Sequence, residues 1–313
     1  MTKKIVIIAI AMLSFLIGKT NLFAETNIED KVTSIVSQET GVCEKYYGSE
    51  YFAKKEKENW LPMLYTDSKC TEEFNEVELN LYDNQIKDLT PLAGLINLEK
   101  LILNYNQIED LTPLAGLTNL EKLFSSNNQI KDLTPLDGLI NLEKLILNYN
   151  QIEDLTPLAG LTNLESLSLD SNQIKTIVPV ADLTNLESLS LSNNQIEDIK
   201  ILADLKSLET LYLGNNQIED LSPLVVLTGL KKLELDNNEI NSIGPLISLF
   251  NLERLSLKNN QIEDIKILAD LKNLEYLYLN YNKITDLSPI FGMANLGYCV
   301  IEGNPVKIMI KKD

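Results

Sequence analysis

The chain has 313 residues, no histidine, and 27 basic against 45 acidic side chains for a net charge of −18. The missing histidine removes Ser–His and Cys–His catalysis and the commonest transition-metal ligand, and so acidic a chain opposes nucleic acid and anionic membrane. No glycine-rich phosphate loop, Cys/His zinc spacing or cofactor fingerprint occurs, so no catalytic residue, cofactor or metal is expected and the chain is read as non-enzymatic.

At the start, Lys3 and Lys4 precede a run from Ile5 to Gly18 that is apolar apart from Ser14, and Leu22-Phe23-Ala24 ends in a small residue before Glu25. This pattern predicts a secretory signal peptide over residues 1–24 and a secreted or periplasmic location, without membrane insertion once it is removed. Removal takes away three lysines and no acids, which moves the net charge from −18 to −21.

Residues 25–76 do not follow the pattern that comes after them and are read as an amino-terminal cap for it. Ile28, Val32, Ile35 and Val36 recur at helical spacing before Gly41, which predicts one amphipathic helix, with further apolar mass around Tyr51, Phe52, Trp60, Leu61 and Leu64. Cys43 and Cys70 fall in this cap, where export would permit a disulfide between them.

From residue 77 to 304 a 22-residue unit repeats eleven times, approximately L-x-L-x-x-N-Q-I-x-D-L-T-P-L-A-x-L-x-N-L-E-x, as in Leu101 to Lys122. One asparagine recurs without exception: Asn84, Asn106, Asn128, Asn150, Asn172, Asn194, Asn216, Asn238, Asn260, Asn282 and Asn304. Such a period is the mark of a leucine-rich-repeat solenoid. Leu101 and Leu103 alternate with Ile102 and Asn104, a period of two that predicts a short strand with its leucines inward. A 22-residue coil is too short for a strand and a full helix. The return path through Leu111, Thr112-Pro113 and Leu114 is therefore predicted to be 3₁₀ and extended. The fold expected is α/β: a right-handed horseshoe with a parallel sheet on the concave face and a 3₁₀/extended convex side. Its strand ladder would be on the order of 50 Å long. The asparagine column is assigned a structural role, satisfying backbone groups of the turns.

Three departures stand out. Ser125 occupies a leucine position in the third repeat, which predicts a small gap. Cys299 occupies a leucine position in the last strand and is read as a buried small hydrophobe. Residues 305–313 form a tail in which Val306, Ile308 and Ile310 alternate as if to cover the final layer.

The paired acids, such as Glu109-Asp110 and Glu153-Asp154, sit at one repeated turn position, so the aspartates are read as turn acceptors and not as a hydrolase pair. A second column, Glu99, Glu121, Glu143, Glu165, Glu187 and Glu209, would stack like charges. Ca²⁺ is the cation its unpaired stretch would suit.

With chemistry absent, specificity has to lie in the outward strand positions that the repeat leaves free. Ile102, Phe124 and Ile146 would form an exposed apolar stripe flanked by Lys100, Lys122 and Lys144, with Tyr82, Tyr105 and Tyr149 just beyond. Serines 166, 168, 171, 188, 190 and 192 read as a spacer. Aromatic side chains return at Tyr212 and cluster as Tyr276, Tyr278, Tyr281 and Tyr298, the residue type that most often anchors interfaces. Residues 97–121 and 141–165 are identical, so duplication has copied surface positions together with core ones.

The unit from Asn97 to Leu114 resembles the 22-residue class shared by bacterial internalins and phosphatase-regulatory subunits, and the leader and helical cap bring the internalin-like branch closer. The resemblance implies an exported monomer whose concave face grips another protein, such as a host-cell surface or envelope protein. Two rival readings are carried: a regulator or inhibitor of an enzyme, and a carbohydrate-binding envelope protein, the latter disfavoured by the shallow surface expected.

Overall fold

A computed structural model describes residues 77–306. The expected signal peptide, the cap helix, Cys43, Cys70 and residues 307–313 lie outside the described residues.

Eleven three-residue strands follow one another: β1 (Glu78–Asn80), β2 (Lys100–Ile102), β3 (Lys122–Phe124), β4 (Lys144–Ile146), β5 (Ser166–Ser168), β6 (Ser188–Ser190), β7 (Thr210–Tyr212), β8 (Lys232–Glu234), β9 (Arg254–Ser256), β10 (Tyr276–Tyr278) and β11 (Tyr298–Val300). They pair in parallel in chain order to make one sheet. Every residue pairs with its equivalent one repeat away, as Leu101 does with Leu79 and Leu123. This register turns each sequence column into a spatial row running the length of the sheet.

The return path is set by a second period. Leu111, Leu114, Leu117 and Leu120 recur every three residues, the pitch of a 3₁₀ turn, which keeps all four on one side. The backbone follows suit: the N–H groups of Leu114, Leu117 and Leu120 donate to the carbonyls of Leu111, Leu114 and Leu117 at 2.8, 2.9 and 2.9 Å. Thr112–Leu114 is a 3₁₀ turn with proline near its start, where the missing donor has no partner to lose. Lys200–Asp204 and Lys266–Asp270 lack proline and extend to five residues. Among the described residues the convex side carries 3₁₀ turns and no α-helix. The horseshoe architecture expected from the repeat is the one observed.

One continuous leucine and isoleucine core results, with Leu101, Leu103, Ile108, Leu114, Leu117 and Leu120 all fully buried. Truncating one such leucine to alanine costs about 2–5 kcal/mol.

Two asparagine ladders tie coil to coil. In the invariant column, Asn194 donates from Nδ2 to the carbonyls of Leu169 and Leu191, both at 3.0 Å, while its Oδ1 accepts the Ile174 N–H at 3.0 Å. The column from Asn106 to Asn282 is buried. A second column lies on the other flank of the strand: Nδ2 of Asn119 donates to the Ile96 carbonyl at 2.8 Å, and Asn141, Asn163 and Asn185 repeat the bond. The sequence reading passed over this ladder, although the N-L-E signature of the repeat contains it.

Ser125 is fully buried in its leucine column, and its hydroxyl accepts from Asn128 Nδ2 at 3.0 Å. Cys299 departs from expectation. It is exposed, because only the Leu277 layer lies beneath it and no further described repeat stacks above. The half-shielding by that layer still pushes its thiol pKa upward.

Candidate functional site

The two outward columns of the strands have distinct chemistry. The first residue of each strand contributes Lys100, Lys122, Lys144, Lys232 and Arg254 before ending in Tyr276 and Tyr298. The third contributes Ile102, Phe124 and Ile146, then Ser168 and Ser190, then Tyr212, Glu234 and Tyr278. Direct register pairing brings Ile102, Phe124 and Ile146 side by side. They are half-buried, less open than the sequence reading expected, because in-register neighbours cover each other's flanks and the Lys144 ammonium lies 5.8 Å from the Phe124 ring centre.

The tyrosines form two groups. Tyr82 and Tyr105 meet at 5.2 Å between ring centres. Tyr149 stands two repeats from Tyr105 with Asn127 between them, 58% exposed. At the other end Tyr278 and Tyr298 meet at 5.5 Å, with the Arg254 guanidinium 5.0 Å over Tyr278. Tyr276 and Tyr281 are exposed beside them. Tyr212 is isolated between Ser190 and Glu234.

Tyr105, Tyr149 and Tyr281 share a backbone feature that their neighbours explain. The residue before each ladder asparagine has positive φ: Asn127 57°, Asn193 58°, Asn215 57°, but also Tyr105 58°, Tyr149 56° and Tyr281 57°. Asparagine and glycine tolerate this left-handed region, and a bulky side chain there is disfavoured. Tyrosine thus stands three times at positions the fold fills more favourably with asparagine. Gly303, at φ 75°, ends the column, and a Cβ there would come within 2.4 Å of the Tyr281 ring.

Sequence reasoning gave the serine zone no role beyond that of a spacer, and the structure adds a second one. The Ser168 hydroxyl donates to Asn148 Oδ1 at 2.7 Å, and the Ser190 hydroxyl to Asp170 Oδ1 at 2.6 Å, with the Ser192 N–H adding 2.7 Å to the same oxygen. These serines knit adjacent repeats together. Burial raises the Asp170 carboxyl pKa even though these donors pull it down. Glu234 is raised by burial, then by Asp236, with Arg254 opposing. The lone hydrogen of Gly214 leaves room for that carboxylate, since a Cβ would meet Glu234 Oε1 at 3.1 Å. Asp170 shares its column and its bonding with Asp236, which accepts from Ser256 and Lys258, while Glu234 is the one acid among the third strand residues.

The turn aspartates behave as read: Oδ1 of Asp110, Asp132 and Asp154 accepts the N–H two residues on at 2.8 Å. The Thr112, Thr134 and Thr156 donors hold these carboxyls below their usual range. Glu99, Glu121, Glu143 and Glu165 line a shallow groove with Asn119, Asn141 and Asn163. Among the described residues no group of three or more acidic, cysteine or histidine side chains is placed to hold a metal ion.

A leucine-rich-repeat family model matches residues 77–138, 140–182, 184–226 and 250–292. The internalin InlF of Listeria monocytogenes is 32% identical over 80% of this chain and 89% of its own, with a TM-score of 0.57. The chain belongs to the leucine-rich-repeat family, in its internalin-like branch. Listeria internalin C2 is 41% identical to this internalin-like protein over 58% of this chain and 80% of its own, with a TM-score of 0.56. A Leptospira interrogans leucine-rich-repeat protein, 24% identical over 77% of this chain and 82% of its own with a TM-score of 0.54, shares the fold. No curated protein sequence matches this internalin-like chain.

Proposed function

We propose that this internalin-like protein is an exported, non-enzymatic module that binds another protein across its concave sheet face. The observation that carries the reading is the placement of Tyr105, Tyr149 and Tyr281 in left-handed backbone, in a column where asparagine is the commonest residue. A fold that keeps a bulky, exposed aromatic at a strained position has a use for the side chain other than stability. Two groups, Tyr82, Tyr105 and Tyr149 with Ile102, Phe124 and Ile146, and Tyr276, Tyr278, Tyr281 and Tyr298, would act as anchors at either end of an elongated partner. Tyr212 adds a contact between them. The leader pattern in residues 1–24 supports secretion or periplasmic delivery, so the partner is sought among envelope and host-cell surface proteins.

The test is capture from such extracts by the parent chain and by a Phe124→Asp, Tyr278→Ala variant of unchanged circular dichroism. A protein held by the parent and released by the variant supports the reading. Equal capture by both removes the concave face from consideration.

A further inference from the structure

The sheet face gathers cations in a chain whose net charge is −18. Lys100, Lys122 and Lys144 stand directly beside one another on β2, β3 and β4, an arrangement in which like charges oppose. Lys100 is relieved by Glu78 at 2.5 Å, but Lys122 and Lys144 make no ion pair among the described residues. The glutamates that precede them, Glu121 and Glu143, line the neighbouring groove with Asn119, Asn141 and Asn163. Two residues further along each strand, on the same face, runs the row Ile102, Phe124, Ile146, so a basic row lies alongside an apolar row for three consecutive repeats.

Acids elsewhere on the face do not cancel this charge. The Asp170 carboxylate is taken up by Ser190 and Ser192, and that of Asp236 by the Ser256 hydroxyl and the Lys258 N–H at 2.5 and 2.8 Å. Glu234 is half-buried behind Gly214 and faces Arg254.

From this charge pattern, and resting on the protein-binding reading above, we infer that repeats two to four receive a partner segment carrying carboxylates beside large apolar side chains. The apolar groups lie on Ile102, Phe124 and Ile146, and the carboxylates meet Lys122 and Lys144. Pairing relieves the repulsion within the lysine row, so the complementary charge contributes both orientation and rate of association. Because these ammonium groups are at the surface, the interaction weakens as salt is raised.

A displayed library of random dodecapeptides, selected on the full chain, tests the chemistry directly. Aspartate and glutamate should be enriched next to leucine, isoleucine, phenylalanine or tryptophan. Binding of the selected peptides should fall about 10-fold or more with Lys122→Glu plus Lys144→Glu, and less with the paired glutamine variant. Peptides that depend on Phe124 yet carry no acidic enrichment, or ignore the charge reversal, overturn this inference and leave the protein-binding face standing. Selection that yields no peptide sensitive to Phe124→Asp overturns both. The glutamine pair, which adds no new charge beside Glu121 and Glu143, separates loss of pairing from loss of fold.

Discussion

Oδ1 of Asn194 accepts the backbone N–H of Ile174, 20 residues earlier, at 3.0 Å, while the amide end of the same side chain donates to Leu169 and Leu191. One side chain thereby satisfies three buried backbone groups in two repeats. Asn194→Ala would strand the Ile174 N–H, at about 1–3 kcal/mol for a buried group left unpaired, while the Leu169 and Leu191 carbonyls keep the amides of Asn172 and Asn216. The expected outcome is a loss of about 1–3 kcal/mol in urea unfolding. Because a solenoid is held together by nearest-neighbour interfaces, the unfolding transition should also broaden. An unchanged midpoint would show that water or a shifted turn replaces the ladder.

Tyr149→Asn should do the reverse. The residue sits at φ 56°, is 58% exposed and has no ring partner among the described residues, so asparagine relieves strain while little packing is lost. The melting temperature should rise by the equivalent of about 0.5–1 kcal/mol, and affinity for a captured partner should fall. A variant that is both less stable and equally competent in binding would remove the argument from strain to function.

Ser125→Leu restores the column that Leu103 and Leu147 fill in the adjacent repeats. The new side chain is buried where leucine is accepted on either side, at the cost of the Asn128–Ser125 hydroxyl bond. A net gain of about 1–2 kcal/mol is expected from denaturant titration. Loss of stability instead would mean that neighbouring leucines have closed the space.

Acid should weaken the fold through the turns. Asp110, Asp132, Asp154 and their equivalents have folded pKa values below the ordinary 3.8. Their contribution is therefore fully present above that pH and is lost as pH falls through the lower folded values. Asp170 and Glu234 work the other way: with raised pKa values their ionisation opposes folding, so protonation as pH falls favours the native state. Thermal melts from pH 7 to 2 should show a steep decline only below about pH 4. Asp170→Asn, which keeps an acceptor of the kind Asn148 offers Ser168 at 2.7 Å, should raise the melting temperature at pH 7 and have less effect in acid. A uniform effect of that substitution across pH would count against the desolvated charge.

Much of the architecture was legible from residue spacing. The alternation at Leu101 and Leu103 marked strands, the short coil with its Thr112-Pro113 pair marked a 3₁₀ return, and the repeated turn position of Asp110 marked the turn acceptor. Each of these is local, so a single repeat contains the whole signal. The reading failed where an effect depended on what stacks against a residue. Cys299 looked like a core position because its column is leucine, yet a column position is buried only when layers lie on both sides. Ser190 looked like filler because its partner, Asp170, is 20 residues away.

What the sequence by itself determined is therefore the repeated coil, its parallel stacking and the identity of the outward columns, since similar 22-residue units leave one register in which the leucine columns are buried. Only the tertiary structure decided which outward side chains meet: that Tyr82 reaches Tyr105 across two different columns, that Lys144 leans over Phe124, and that Tyr105, Tyr149 and Tyr281 occupy left-handed backbone. Those relations depend on side-chain direction and on local backbone angle, which repeat spacing does not encode.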